Sequence, residues 1–532
     1  MSTAAAPALN RETSRGVYAD EQMASALAYF RAGRTDKAEA IYKKVAKKDG
    51  RHAGAHHMLG VIARQNGMKE RAVQLLIKAA KLDPQRPEIL CDLGNAFKAL
   101  GRHKDATKAH RMVLTLLPNS PEAHSNLGSA YKAAGKAGKA VACFENALKM
   151  RPNDIELKFN LGNGLIAAEQ YDQAEDLLRQ VVYENPQHIP AQNNLGAALK
   201  EQGRFDAAIK RYQKAIVANP ASADLHWNLG LTLLATGQYE AGWTEYEWRC
   251  QLPDFAMLRM TRPRWDGLPL DGRTLVVHAE QGFGDCIQFA RYLSQIDPDG
   301  GNVLFAVPPR MTSLMQGLES AIRIVSTDDI PTHDVQIPLM SLPQLYHDGL
   351  PFEHREGPYV SPLGDRVEFW KERLGPLSGT RIGIAWQGSR GYANDARRSV
   401  PLLNFEPIAR LDGVALISLQ MGDGTDQLAE LPWNDRISDF TGDMDESGAF
   451  VDTLAVMKSL DLVITSDTAI AHLAGVAGIP VWVALNSLPD WRWGLKGDET
   501  PWYRTMKLFR QKTAGDWSEV FDRITAGLRE MC

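Results

Sequence analysis

Gly60, Gly94, Gly128, Gly162, Gly196 and Gly230 stand 34 residues apart, and no other feature of the chain constrains its fold as strongly. Pro84, Pro118, Pro152, Pro186 and Pro220 keep the same step, as do Ala38, Ala72, Ala106, Ala140, Ala174 and Ala208, with Gly242 closing the alanine row. A period of this length means one supersecondary unit repeated. Each unit is unable to bury its apolar face alone and stacks on its neighbours to do so. Small residues at fixed positions let two helices approach, and a proline marks the start of the next unit.

This spacing resembles the tetratricopeptide repeat, with two helices per unit, and about seven units fit between Glu21 and Cys250. Residues 1–20, opening "MSTAAAPALNRETSRG", lack a basic-then-apolar signal and read as a loose, disordered tail. In the later units the glycine closes an Asn-Leu-Gly triplet, which sets Asn126, Asn160, Asn194 and Asn228 in one column on the first helix; Met58 and Asp92 break the column earlier. An amide carries a donor and an acceptor together and can pair with a peptide unit in both directions. The column resembles the asparagine ladder of the protein O-GlcNAc transferases, which implies an extended acceptor peptide held along the concave face. Amides bonded to neighbouring helix turns are the other reading. The last unit runs into "GWTEYEWRC", where Trp243, Tyr246 and Trp248 are expected to pack the solenoid's end against the next domain.

Composition excludes some classes of function. With 60 basic and 64 acidic residues the net charge is −4, which gives no bias toward nucleic acid or an anionic membrane. Five cysteines, odd in number and without a CxxC pair, suggest reduced thiols and a cytoplasmic setting. The uncharged stretch from Ala471 to Pro489 is broken by Gly475, Gly478 and Pro480, so it reads as a buried helix-to-strand junction rather than a membrane span.

Beyond Asp271 the period changes. "TLVVHAE", "NVLFAVP" and "DVQIPL" are short apolar runs separated by helical stretches, and "RIGIAWQG", "VALISLQ", "DLVITSD" and "PVWVAL" form a second set. The expected architecture is an α-solenoid over 21–250, a linker over 251–271, and an α/β pair of Rossmann-like halves over 272–375 and 376–532. In such sheets a ligand sits beyond the carboxyl ends of the strands. There, "HAEQGFGDCIQFARY" places Gly284 and Asp285 at a strand-to-helix turn, where the aspartate either caps the helix or reacts. "DLVITSDTAIAHLAGVAG" offers Asp467, then the helix-start N–H groups of Thr468, Ala469 and Ile470, with His472 a turn further on. "RIGIAWQGSRGYANDARRSVP" gives Gln387 and Gly388 and then the basic pair Arg397 and Arg398, suited to phosphate. Gln420 ends the next strand, where a nucleotide base is a candidate partner. "GDMDE" offers Asp443 and Asp445 either as a metal pair or as caps and loop residues before a helix.

The second half, roughly Arg264 to Gln511, resembles the GT-B glycosyltransferases of the heptosyltransferase family. The match is carried by Gly284-Asp285, by "RSVP" at Arg398 to Pro401, and by "SDTAIAHLAG" at Ser466 to Gly475. The resemblance implies that Asp285 is the base, that Arg398 binds donor phosphate, and that Asp467, Thr468 and His472 hold the nucleotide diphosphate or its equivalent. Fused to repeats, and with "DWRW" and "TPWY" near the end, the chain resembles bacterial repeat-fused protein glycosyltransferases, several of which modify flagellin. It implies an inverting, metal-independent enzyme without a cofactor, taking a UDP-, GDP- or ADP-sugar or a CMP-nonulosonic acid and acting on Ser or Thr of a protein. A repeat scaffold with an inactive nucleotide-binding half, and a heptosyl-type enzyme acting on a glycan, are the competing readings.

Overall fold

The computed structural model describes residues 7–253, 260–318, 322–346, 358–392 and 394–531, with side chains from residue 19 onward. It divides into two compact units, Met1–Gln202 and Gly203–Cys532.

The first unit is a stack of antiparallel helix pairs. Its opening helix, Pro7–Arg31, starts well before Glu21, so the loose tail expected over 1–20 is helical from Pro7; residues 1–6 lie outside the described residues. The helix contains no proline after Pro7, and Pro7 itself suits a first helical position. The 34-residue columns have separate physical roles. Ala38, Ala72, Ala106, Ala140 and Ala174 are fully buried. The glycines mark the closest helix approach: a Cβ on Gly60 would lie 2.6 Å from Leu76, one on Gly128 2.8 Å from Phe144, and one on Gly162 3.0 Å from Leu178. A further column turns the chain between paired helices. Gly33, Gly67, Gly101 and Gly135 have φ of 72°, 75°, 74° and 69°, and Glu169 bears the same left-handed backbone at 61°. Helix starts are capped by Ser120, which accepts from Ala123 N–H at 3.1 Å, and by Asp154, which accepts from Leu157 N–H at 3.1 Å.

The second unit opens with three helices, Phe205–Ala218, Ala223–Ala235 and Tyr239–Tyr246, and continues into two parallel sheets. The first sheet contains β1 (Thr274–His278), β2 (Asn302–Val307), β3 (Arg323–Ser326) and β4 (Val335–Pro338), in the order β3-β2-β1-β4. The second contains β5 (Thr380–Ala385), β6 (Val414–Ser418), β7 (Ile437–Asp439), β8 (Leu462–Ser466), β9 (Val481–Leu485) and β10 (Met506–Arg510), in the order β10-β9-β8-β5-β6-β7. Relabelled from its first strand, the second sheet has the 3-2-1-4-5-6 Rossmann order, and the first is its four-stranded beginning. The strand order reverses between β1 and β4 and again between β5 and β8, so each sheet has a crevice at the carboxyl ends of those strands.

The chain before β1 is more than a linker. Trp265 is buried and its N–H donates to the Gln336 carbonyl at 2.8 Å, while residues 254–259 lie outside the described residues. The aromatic run of the Tyr239–Tyr246 helix enters the core of the same unit. Trp243 meets Trp491 edge-on at 5.3 Å and Phe289 at 5.9 Å, and Phe289 meets Trp502 at 5.8 Å. The second compact unit thus takes in the last three helices before the sheets together with the sheets themselves.

Candidate active site

After β1 the chain turns through Gln281, at φ 61°, into the helix Phe283–Phe289. Asp285 caps that helix: its Oδ2 accepts from the Gly282 N–H at 2.8 Å. It also does more than cap. Asp285 Oδ1 pairs with Nη2 of Arg492, from the turn after β9, at 2.5 Å. Burial pushes the Asp285 carboxyl up; the Arg492 guanidinium and the Gly282 N–H oppose this, and the Asp490 and Glu280 carboxylates add to it.

Gly284 brings the two sheets' turns into contact. A Cβ there would lie 3.1 Å from His472 Cδ2 and 3.5 Å from Ala469 Cα, so a larger residue would have to push the His472 ring aside by a few tenths of an ångström for the turn to rest on the start of the helix Ala469–Val476. That helix follows β8 with Thr468 as its first flanking residue, extended at φ −140° and ψ 174°, and no side chain caps it. Asp467 is therefore not its cap. Asp467 is buried, and burial and then the Asp490 carboxylate raise it well above the usual carboxylate range, against Arg398, Trp493 and Arg492. Thr468 Oγ1 lies 3.2 Å from Thr465 Oγ1. His472 Nδ1 is 2.9 Å from the Tyr503 hydroxyl and its ring stacks on Trp493 at 5.0 Å. Burial, and then the cations of Arg492, Arg291 and Arg398, hold the imidazole neutral, well below its ordinary value.

On the other side of the second switch point, Arg398 lies over the Tyr392 ring at 4.5 Å, with its Nε 3.3 Å from Asp395 Oδ1. A Cβ on Gly388 would lie 2.4 Å from Arg398 Nη2, so glycine makes room for the guanidinium. A hollow of 490 Å³ lined by Gln387, Arg390, Tyr392 and Ser399 opens beside it. A larger hollow, 630 Å³, lies at the amino ends of β1 and β2, around Thr274 and Asn302, away from these groups.

Gln420 does not have the form expected of a base-binding residue. Its Oε1 accepts from the Trp386 and Gln387 N–H groups, each at 2.9 Å, and its Nε2 donates to the Gln387 and Asp423 carbonyls at 2.9 and 2.7 Å. With every donor and both lone pairs engaged by backbone, the side chain ties the ends of β5 and β6 together. The Gln387 side chain accepts from Gln427 at 2.9 Å. Asp443 pairs with Arg373, while Asp445 accepts from the N–H groups of Asp452 and Thr453, at 2.7 and 3.1 Å, and from the Thr453 hydroxyl at 2.6 Å. Among the described residues no group of three His, Cys, Asp or Glu side chains is arranged to hold a metal, and no helix is long and apolar enough to cross a membrane.

In the first unit, each asparagine of the ladder uses one N–H on a neighbouring helix. Asn126 donates to Cys91 Sγ at 3.3 Å, Asn160 to Ser125 Oγ at 3.3 Å, and Asn194 to Asn163 Oδ1 at 3.1 Å. Among the described residues no hydrogen bond to their side-chain oxygens accompanies these. In the second unit Asn228 donates within its own helix, to the Asp224 carbonyl at 3.0 Å. Arg492, Asp490 and Tyr503, which the sequence did not single out, lie beside Asp285 and His472: Arg492 pairs with both Asp285 and Asp490, and the Tyr503 hydroxyl meets His472. They sit in the "DWRW" and "TPWY" stretches, where an arginine among tryptophans was the available signal.

Residues 23–87, 131–199 and 196–237 match models of the tetratricopeptide repeat. The N-terminal helices are tetratricopeptide repeats. Protein FlbA of Caulobacter vibrioides is 28% identical over 323 residues, which cover 54% of this chain and 52% of that protein. The chain thus spans about half the length of the curated relative it matches. Among solved structures, a tetratricopeptide repeat protein from Parabacteroides merdae matches 44% of this chain and 93% of its own, at 18% identity and a TM-score of 0.40. PilF of Pseudomonas aeruginosa matches 40% of this chain and 96% of its own, at 20% identity and a TM-score of 0.35.

Proposed function

We propose that this protein is a GT-B protein O-glycosyltransferase: the repeats select a protein, and the α/β unit transfers a sugar from a nucleotide-activated donor to a Ser or Thr hydroxyl. The observation that carries the reading is the meeting of two strand-end turns, with Gly284-Asp285 from the first sheet resting on Ala469 and His472 from the second. In this reading the donor phosphates lie against the uncapped start of the Ala469–Val476 helix and Arg398, which meet the leaving-group charge without a metal. Asp285 takes the acceptor proton as the hydroxyl oxygen bonds to the anomeric carbon. The carbon–phosphate oxygen bond breaks, and its electron pair leaves with the nucleotide. The neutral His472, bonded to Tyr503, shapes the donor site as a polar wall.

Tetratricopeptide repeats are protein-interaction modules, and Asn126, Asn160 and Asn194 supply acceptor-facing carbonyls in this scheme. Flagellin, drawn from the family resemblance, is the leading acceptor, and the cytoplasm, drawn from the unpaired cysteines, is the compartment. The test is intact-mass analysis of flagellin co-expressed with this protein and alone. A discrete mass increment that needs the protein supports transfer, and an unchanged mass across a panel of secreted and cytoplasmic acceptors refutes it. The engagement of both Asp285 oxygens favours a second reading, a scaffold that binds nucleotide without turnover, and the same measurement separates the two.

A further inference from the structure

We infer that Arg492 is a positioning residue for transfer, one whose guanidinium reaches across the cleft and fixes the Asp285 carboxylate as proton acceptor. The inference rests on the proposed role of Asp285 as the base. The guanidinium spreads its three nitrogens over three partners. Nη2 meets Asp285 Oδ1 at 2.5 Å, Nε meets Gln288 Oε1 at 2.9 Å, and Nη1 meets Asp490 Oδ1 at 2.8 Å. Asp285 and Gln288 are three apart on one helix, so the fork grips a single turn of the first sheet's helix from the second sheet's side. The guanidinium plane is held over the Trp491 ring at 4.3 Å, and the Arg492 carbonyl accepts the Trp502 indole N–H at 2.7 Å. A planar fork with fixed donor directions can make this three-way contact, and a lysine ammonium cannot.

The consequence for Asp285 is geometric and electrostatic. Two donors, Arg492 on Oδ1 and the Gly282 N–H on Oδ2, fix the carboxylate plane, and one lone pair on each oxygen is left for an incoming proton. Around it lie the carboxylates of Asp490 and Glu280 and the Tyr246 hydroxyl, with Arg249 bound to Glu280. Arg492 is the strongest influence keeping Asp285 ionised against burial. Without it the carboxyl is a largely buried acid beside other acids, and its hold on a proton is raised further.

The test monitors Asp285 directly and through turnover, in the full-length protein. Carboxyl carbon NMR of aspartate-labelled protein, assigned by the resonance lost in Asp285→Asn, gives the titration. The acid limb of kcat/KM is read with a mixture of UDP-, GDP- and ADP-sugars and CMP-nonulosonic acids, with flagellin as acceptor. In Arg492→Met the titration is expected to move up by about 1–3 pH units, the ordinary effect of losing a nearby opposite charge, and the acid limb moves with it. Arg492→Lys gives a smaller shift, and Asp490→Asn moves both downward. A titration that moves while the limb stays still makes Arg492 a structural partner only and overturns the inference. A loss of rate equal at every pH does the same. If Arg492→Met does not fold, an upward or absent shift in Asp490→Asn overturns it. Full activity in Asp285→Asn instead removes the base reading on which the inference rests.

Discussion

Replacing His110 with leucine should stabilise the repeat unit, and by more at pH 5 than at pH 7.5. His110 lies in the helix His103–Leu116, fully buried, with Nε2 where it would be 2.5 Å from a Cβ on Gly94. Leu76, Phe144 and Leu178 fill the equivalent pockets of other repeats, against Gly60, Gly128 and Gly162. Neither ring nitrogen of His110 has a hydrogen-bond partner. Burial, and then the Lys98 charge, push its pKa from 6.5 down to about 4. The folded chain therefore holds it neutral while the unfolded chain takes a proton near 6.5. The associated stability is complete above that value and is lost as pH falls from 6.5 toward 4. At pH 5 the loss is about 2 kcal/mol, and the unmade hydrogen bonds cost about 1–3 kcal/mol at any pH. Because repeat arrays open locally, the assay is amide hydrogen exchange in Pro87–Ala99 and His103–Leu116, corrected for intrinsic rates. Leucine that raises protection equally at pH 5 and pH 7.5, or lowers it, would show that His110 carries no such penalty in the folded chain.

Three further outcomes are expected. Asn160→Ala with Asn194→Ala should weaken acceptor binding and leave nucleotide affinity intact, at a stability cost of about 1 kcal/mol for each lost inter-helix bond; normal acceptor binding would make the amides ties between helices and nothing else. Arg398→Ala and His472→Ala should each cost about 1.5–3 kcal/mol, roughly ten- to a hundredfold, in calorimetric affinity for UDP, GDP or ADP. Unchanged affinity in both would remove the phosphate site. EDTA should leave transfer intact and Asp443→Asn should be mild, since Asp443 holds only an exposed pair with Arg373. Activity lost to EDTA and restored by manganese would refute this.

The parts of the molecule that repeat or bury both faces were legible in the sequence. The solenoid showed because alanine, glycine and proline columns each report a different contact at one period. Seven strands showed as apolar runs, because parallel strands are covered on both sides. β3, β7 and β10 did not. All three are edge strands, β7 has three residues, and β3 and β10 carry Arg323, Lys507 and Arg510. Asp285, Asp467 and Arg398 could be singled out because they follow apolar runs that are strands, and they lie beyond the carboxyl ends of β1, β8 and β5. Gln420 obeyed the same rule, yet four backbone groups claimed its amide. Arg492 was invisible because its partner Asp285 lies 207 residues earlier, and no period reports a contact between sheets. Trp243 and Tyr246 were legible as the end of the repeats packing on the next domain, because an aromatic cluster has to be covered, and both lie in the core shared with the sheets.

If Asp285 accepts the proton of the attacking hydroxyl, Asp285→Asn removes the acceptor and little else. Asparagine keeps an oxygen for the Gly282 N–H, and Asp490 remains as a counter-ion to Arg492, so the fold should persist. The measurement is the rate of flagellin modification by intact mass, taken beside the melting temperature and nucleotide affinity of the same preparation. The expected result is a folded, nucleotide-binding protein whose transfer rate has fallen by about 10²–10⁴-fold. A folded Asp285→Asn protein that transfers sugar at the wild-type rate would contradict it and leave Asp285 as a helix cap.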